Sequence, residues 1–223
     1  MIFLFHEDSS KDNITIRGED FKYLIKVRRH KDGDIIYLRN PTCHEYLYKY
    51  EIIFVDAREI ILELKESFIN EVKSSKKLHI AWCVIDLKSV EKVLPTLSEI
   101  GVERISFIFC ERSQKNFKPD FNRLERILQS SMMQSGRSSK MELSLYKNLK
   151  DFLKEFPDTK VFDFTDKIFE AKQVVETVLI GCEGGFSKVE KELLCTQEVF
   201  RLDTPMVLRS ESAAVAIASK ILL

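Results

Sequence analysis

Through the first seventy residues apolar side chains recur in short runs separated by polar turns. The runs Ile2 to Phe5, Ile14 to Arg17, Asp34 to Arg39, Glu45 to Val55 and Glu59 to Leu64 are rich in Ile, Phe and Tyr, which predicts strands. Lys31-Asp32-Gly33-Asp34 and Asn40-Pro41 are turn signals between them. One helix interrupts the series: Phe21, Leu24, Ile25 and Arg28 lie at helical spacing within Glu19 to Arg28. A strand, a helix and then several close strands predict a small β-barrel.

From Ser67 to Lys77 the pattern lapses into a polar stretch that reads as a linker. Beyond it the rhythm changes. A strand (Leu78 to Ile85) leads to a helix with Leu87, Val90, Leu94 and Leu97 on one face, closed by Gly101, and then to a strand, Arg104 to Cys110. Pro95 is expected to kink or break that helix. A helix follows Pro119, with Phe121, Leu124, Leu128 and Met132 in register, and another covers Leu149 to Phe156. Strands at Lys160 to Phe164 and Thr177 to Ile180, a glycine-rich loop, a helix (Ser187 to Cys195), a strand (Glu198 to Leu202) and a terminal helix complete the chain. Strands alternating with helices predict an α/β layer on a parallel sheet. The expected domains are 1–70 and 71–223. The terminal helix, Glu211 to Leu223, has almost no polar face, so it must be covered by the rest of its own fold or by a partner helix.

Composition narrows the class. The 223 residues carry 35 basic and 35 acidic groups, 44% apolar residues, seven Gly and five Pro, the make-up of a folded globular protein. Five cysteines, odd in number and without a CxxC pair, suggest neither a disulfide framework nor a zinc ribbon and point to a reducing cytoplasm. The four-residue apolar run at Ile2 is too short for a signal peptide or membrane span. The four histidines show no metal spacing, so no metal is expected.

Candidate chemistry gathers in a few segments. Three of the seven glycines fall in Gly181-Cys182-Glu183-Gly184-Gly185, between a predicted strand and a helix. There the backbone can approach a ligand, although a plain tight turn explains the run too. It is neither a phosphate-binding P-loop nor a GxGxxG fingerprint. In Leu208-Arg209-Ser210-Glu211-Ser212, Ser210 reads as the helix N-cap and Glu211 as a first-turn acid, which leaves Arg209 without a structural task. Glu111-Arg112-Ser113 follows a strand, and Gln134-Ser135-Gly136-Arg137 ends a helix with Gly136 as its C-cap. Trp82 reads as a packing residue.

Zero net charge argues against a nucleic-acid partner until its distribution is considered. Lys22 to Lys31 holds five basic residues and no acid, and Arg112 to Lys140 holds seven basic against two acidic, each a net +5. Two such patches can track a phosphate backbone, as can ordinary solvated helix faces carry them.

Taken in order, Val27-Arg28-Arg29 before Gly33-Asp34, Ser98-Glu99-Ile100-Gly101-Val102, Glu111-Arg112-Ser113, Gln134 to Arg137, Ile180 to Ser187 and Val207 to Ala213 resemble the RsmE-type 16S ribosomal RNA uridine-N3 methyltransferases of the SPOUT (α/β-knot) superfamily. The resemblance spans the whole chain. It implies a PUA-like β-barrel that helps hold RNA, a C-terminal domain threaded into a trefoil knot, homodimerisation through that domain, and S-adenosylmethionine as methyl donor. On these residues, Leu179, Ile180, Gly181, Glu183, Gly184, Gly185, Leu202, Met206, Val207 and Leu208 are expected to frame the cofactor. Arg209 is the expected catalytic cation, and Glu211 is a candidate base or an orienting cap. Arg28, Arg29, Arg112, Ser113 and Arg137 are RNA candidates. The chain departs from the family pattern at Cys182 (usually Pro), Ser212 (usually Thr) and Asp203-Thr204-Pro205 (usually Leu-Gly). Other readings are a non-catalytic assembly factor on the same fold and a SPOUT enzyme acting on a ribose hydroxyl or on tRNA.

Overall fold

The computed structural model describes residues 2–170 and 174–223. It divides into two compact units, Met1–Val72 with Met133–Ser139, and Lys73–Met132 with Lys140–Leu223.

The first unit is built on strands β1 (Leu4–Phe5), β2 (Asn13–Arg17), β3 (Ile35–Arg39), β4 (Tyr46–Val55) and β5 (Glu59–Ile69), in the order β1-β3-β4-β5-β2. The sheet curls into a half-barrel, less than the full β-barrel expected, because the described strands at its two ends, β1 and β2, do not pair with each other. Register shifts in β4 at Lys49/Tyr50 and Ile52/Phe54 mark bulges, which bend a strand. Alternate residues of β2 to β5, with Phe21 and Leu24, form the core. Buried Tyr50 donates its hydroxyl to the carbonyls of Ser9 (3.0 Å) and Lys11 (2.6 Å), tying the chain before β2 to β4.

Two sequence expectations change here. The linker read as Ser67 to Lys77 begins later: β5 continues to Ile69, with Phe68 and Ile69 paired to Leu47 and Tyr46 across the hairpin. The helix read as Glu19 to Arg28 is a short α1 (Gly18–Phe21) that widens into a π-helical stretch, Lys22–Val27, where the Arg28 N–H reaches back to the Tyr23 carbonyl at 2.9 Å.

The second unit holds β6 (His79–Cys83), α2 (Leu87–Ile100), β7 (Arg104–Ile108), most of α3 (Phe121–Ser135), β8 (Glu142–Tyr146), α4 (Leu149–Glu155), β9 (Lys160–Phe162), β10 (Thr177–Ile180), α5 (Lys188–Leu193), β11 (Val199–Phe200) and α6 (Ser210–Leu222). Six parallel strands run in the order β11-β9-β10-β6-β7-β8. Every residue of β6 is buried, as a central parallel strand covered on both faces requires. The edge strand β8 is absent from the sequence reading. α2 starts at Asp86, whose carboxylate accepts the Ser89 N–H at 3.2 Å, and stops at left-handed Gly101 (φ 107°). It runs through Pro95 unbroken, and the Ser131 hydroxyl of α3 donates to the Pro95 carbonyl at 3.1 Å. α6 buries Ala214, Ile217, Ala218, Ile221 and Leu222. No helix among the described residues is long and apolar enough to cross a membrane.

Candidate functional site

A cleft of about 360 Å³ opens at the C-terminal ends of β9, β10 and β11. Its walls are Phe162 and Asp163 after β9, Ile180 to Glu183 and Gly185 after β10, and Phe200 to Leu202, Thr204 and Met206 to Ser210 ahead of α6. This is where open parallel sheets bind ligands, and the volume suits a small molecule.

The glycine loop is held from outside by a motif far away in sequence. Buried Glu190 accepts the Ser187 N–H at 2.8 Å, completing a capping box at the start of α5, and its other oxygen accepts the Glu111 N–H at 2.8 Å. The Arg112 guanidinium donates to the Gly184 carbonyl at 2.7 Å, and the Cys182 thiol donates to the Arg112 carbonyl at 3.3 Å. A Cβ on Gly184 would stand 3.1 Å from the Arg112 Cβ, so only glycine admits this approach comfortably. Gly185 is left-handed at φ 63°, with nothing within 4 Å of a Cβ position. Burial raises the pKa of the Cys182 thiol, and a protonated buried thiol is a poor nucleophile.

The loop entering α6 is fixed from inside. Ser210 is not the N-cap. That position belongs to Arg209, and Ser210, the first helical residue, is buried. Its hydroxyl donates to the Gly181 carbonyl at 2.6 Å and accepts the Trp82 indole N–H at 2.8 Å. Trp82 is thus more than packing, since it anchors this hydroxyl from the centre of β6. Arg209 itself is exposed, lines the cleft and has no carboxylate partner among the described residues. In the segment that departs from the family pattern, the Thr204 hydroxyl accepts the Met206 N–H at 3.2 Å, making a tight turn whose Thr204 faces the cleft.

Of the expected cofactor residues, Ile180, Gly181, Glu183, Gly185, Leu202, Met206, Val207 and Leu208 line this cleft together with Arg209. Leu179 does not, because it points into the sheet core and is fully buried; Gly184 faces Arg112. Glu211 sits in the first turn of α6, outside the lining. Phe162, Asp163, Phe200 and Arg201 line it without having been singled out in the sequence, as does Thr204, noted there only as a departure from the family pattern. The sequence reading placed the first four inside the predicted strands 160–164 and 198–202; they fall at the cleft because β9 ends at Phe162 and β11 at Phe200.

The RNA candidates divide. Arg28 and Arg29 are exposed. Ser113 is buried, its hydroxyl accepting the Cys110 N–H at 2.9 Å inside a turn. Arg137 is also buried, donating Nε to the Ser139 carbonyl at 2.6 Å. Arg112 is exposed but engaged with Gly184. No cluster that could hold a metal ion occurs among the described residues.

The family model for RNA methyltransferase domains matches residues 72–222. A ribosomal RNA small subunit methyltransferase E from Helicobacter pylori is 38% identical over 98% of both chains. Among solved structures, a putative methyltransferase from Legionella pneumophila in complex with its bound cofactor SAM shares the fold, with a TM-score of 0.78 and 21% identity over 98% of this chain and 95% of that one. A ribosomal RNA small subunit methyltransferase E from Neisseria gonorrhoeae bound to S-adenosyl methionine superposes with a TM-score of 0.76 and 16% identity over the same shares. Sequence match and cleft agree, and the chain belongs to the RNA methyltransferase domain family, in the group of the ribosomal RNA small subunit methyltransferases E.

Proposed function

We propose that this protein methylates N3 of a uridine in 16S ribosomal RNA with S-adenosylmethionine as donor. The names of its relatives support the substrate class and the cofactor. The observation that carries the chemistry is Arg209, a guanidinium with no carboxylate partner among the described residues, in the wall of a cleft lined mainly by apolar side chains and glycine backbone, with Asp163, Glu183 and Arg201 as its other charged groups.

The lining fits the donor. Ile180, Leu202, Val207 and Leu208 offer apolar walls for an adenine, and Phe162 and Phe200 add aromatic surface. The Asp163 and Glu183 carboxylates can accept from hydroxyl and ammonium groups, and Arg201 can meet a carboxylate. When bound, S-adenosylmethionine supplies an electrophilic methyl group on a sulfonium. The protein's task is to align that carbon with the ring nitrogen, which is worth several kcal/mol because the reaction becomes effectively unimolecular. As N3 loses its proton to solvent, charge spreads onto the flanking carbonyl oxygens, where the Arg209 cation stabilises it. Glu211, outside the lining, serves the start of α6, where an acid is favoured by the helix dipole.

On the same reading the first unit is a PUA-like RNA-holding module and the second is a knotted SPOUT domain that pairs with a second copy in the cytoplasm. Phe164 and Val207, each 77% exposed beside the cleft, are apolar groups that such a copy would cover. Nucleoside mass spectrometry of small-subunit RNA from cells with and without the gene tests the proposal. Loss of 3-methyluridine on deletion supports it, and an unchanged nucleoside profile contradicts it.

A further inference from the structure

A second cavity, of about 470 Å³, lies wholly within the first unit. Buried Leu24, Ile36 and Leu47 are among its lining, which also includes Tyr37, Arg28 and the Asn70 amide. The Asn70 Oδ1 accepts from the Arg39 guanidinium at 2.9 Å, which fixes the amide plane and leaves its NH₂ group without a partner among the described residues. The cavity therefore offers an apolar floor, an aromatic ring and an oriented hydrogen-bond donor.

Its electrostatics favour an anion. Arg39 is 0% exposed, and among the described residues its guanidinium bonds only to the neutral carbonyls of His44 and Asn70 and lies over the Phe3 ring, while its Nε has no partner there. A buried charge without a counter-charge is costly unless another group answers it, and its field is weakly screened. Arg28 lines the cavity, and Lys26, Arg29 and Lys31 are its neighbours along the chain; all four are exposed and none is ion-paired among the described residues. Arg29 has φ 61°, a left-handed conformation that costs a non-glycine residue free energy, and it follows a π-helical stretch; both features concentrate at functional sites.

We infer that this cavity takes one unstacked nucleobase of a single-stranded RNA segment, with Asn70 donating to a base carbonyl and Arg28 meeting the adjoining phosphate. The inference rests on the RNA-modifying reading above and adds to it a separate base-binding site. Aromatic and cationic walls hold splayed-out bases in this way.

The test uses the full-length protein and a short single-stranded RNA carrying one 2-aminopurine, titrated at several salt concentrations. Wild type should raise the fluorescence of the unstacked base. Arg28→Ala should weaken binding about tenfold and reduce the salt slope by about one. Ile35→Trp, a partly exposed lining position, should block the cavity and abolish the fluorescence change with thermal stability retained. Lys150→Ala, an exposed lysine on α4, controls for charge and should leave both the slope and the signal as in wild type. If Arg28→Ala and Ile35→Trp bind and report like wild type while methyl transfer proceeds, the cavity is not a base site and the methyltransferase reading stands. Failure of the wild type to bind either RNA or S-adenosylmethionine removes both.

Discussion

Ser210 donates its hydroxyl to the Gly181 carbonyl across 2.6 Å, joining the first residue of α6 to the first residue of the glycine loop, 29 positions earlier. The Trp82 indole closes the relay from the middle of the sheet. Arg209 precedes Ser210, so the bond that shapes the candidate cofactor cleft also sets the root of the proposed catalytic cation.

Ser210→Ala leaves the Trp82 N–H and the Gly181 carbonyl without this partner. It should cost about 1–3 kcal/mol of stability, the penalty for orphaned buried polar groups, and weaken S-adenosylmethionine binding. Exposed Ser212→Ala should stay within about 0.5 kcal/mol of wild type. Urea denaturation and calorimetry measure both quantities.

Gly184→Ala places a methyl group 3.1 Å from the Arg112 Cβ. The overpacking should cost about 1 kcal/mol or more. Adding Arg112→Gly, which removes the crowded Cβ itself, should relieve the crowding, so the double variant should lose less than the sum of the single losses. Additive losses in denaturant midpoints would show that the two side chains do not meet.

His79 is buried between the Phe152 and Phe156 rings, with Nε2 2.7 Å from the Ser106 hydroxyl. Burial is the main cause that pushes its pKa down to about 4, with the Arg104 charge adding to it. The unfolded chain therefore binds a proton at about pH 6.5 that the folded chain refuses until about pH 4. Stability should fall through that window as pH drops, by about 3 kcal/mol in all. Denaturant midpoints at pH 7 and pH 5 should converge in His79→Gln and differ in wild type. Glu198, held down to about 2 first by its hydrogen bond to Lys160 and then by Lys167, loses its contribution only at more acid pH, between about 4.5 and 2.

The sequence made the alternation of strands and helices after residue 78 legible because α2 and α3 carry clean apolar stripes and turn signals separate the elements. β8 escaped it because Glu142-Leu-Ser-Leu-Tyr146 is a short edge strand with half-exposed faces. The tail of β5 read as a linker because Ser67 to Lys77 as a whole is polar, and only the pairing of Phe68 and Ile69 with Leu47 and Tyr46 reveals a hairpin arm. The glycine loop and the Arg209 segment were visible as motifs. Charge counting could not distinguish Arg112, which bonds a backbone carbonyl, or Arg137, which is buried, from free cations, because a tally along the chain is blind to burial and to such bonds. Ser210 looked like a cap because its residue type suits one, whereas a partner 128 residues away, Trp82, decides its role.

The most direct test is the rate of methyl transfer by Arg209→Ala, from labelled S-adenosylmethionine to small-subunit RNA lacking the modification, alongside the variant's affinity for the cofactor. Arg209 is exposed and forms no ion pair among the described residues, so the fold should survive its loss. We expect transfer to fall by about 10²–10³-fold, the usual cost of removing a group that stabilises developing charge, with cofactor affinity within a few-fold of wild type. Transfer at the wild-type rate would contradict the assignment of Arg209 as the catalytic cation.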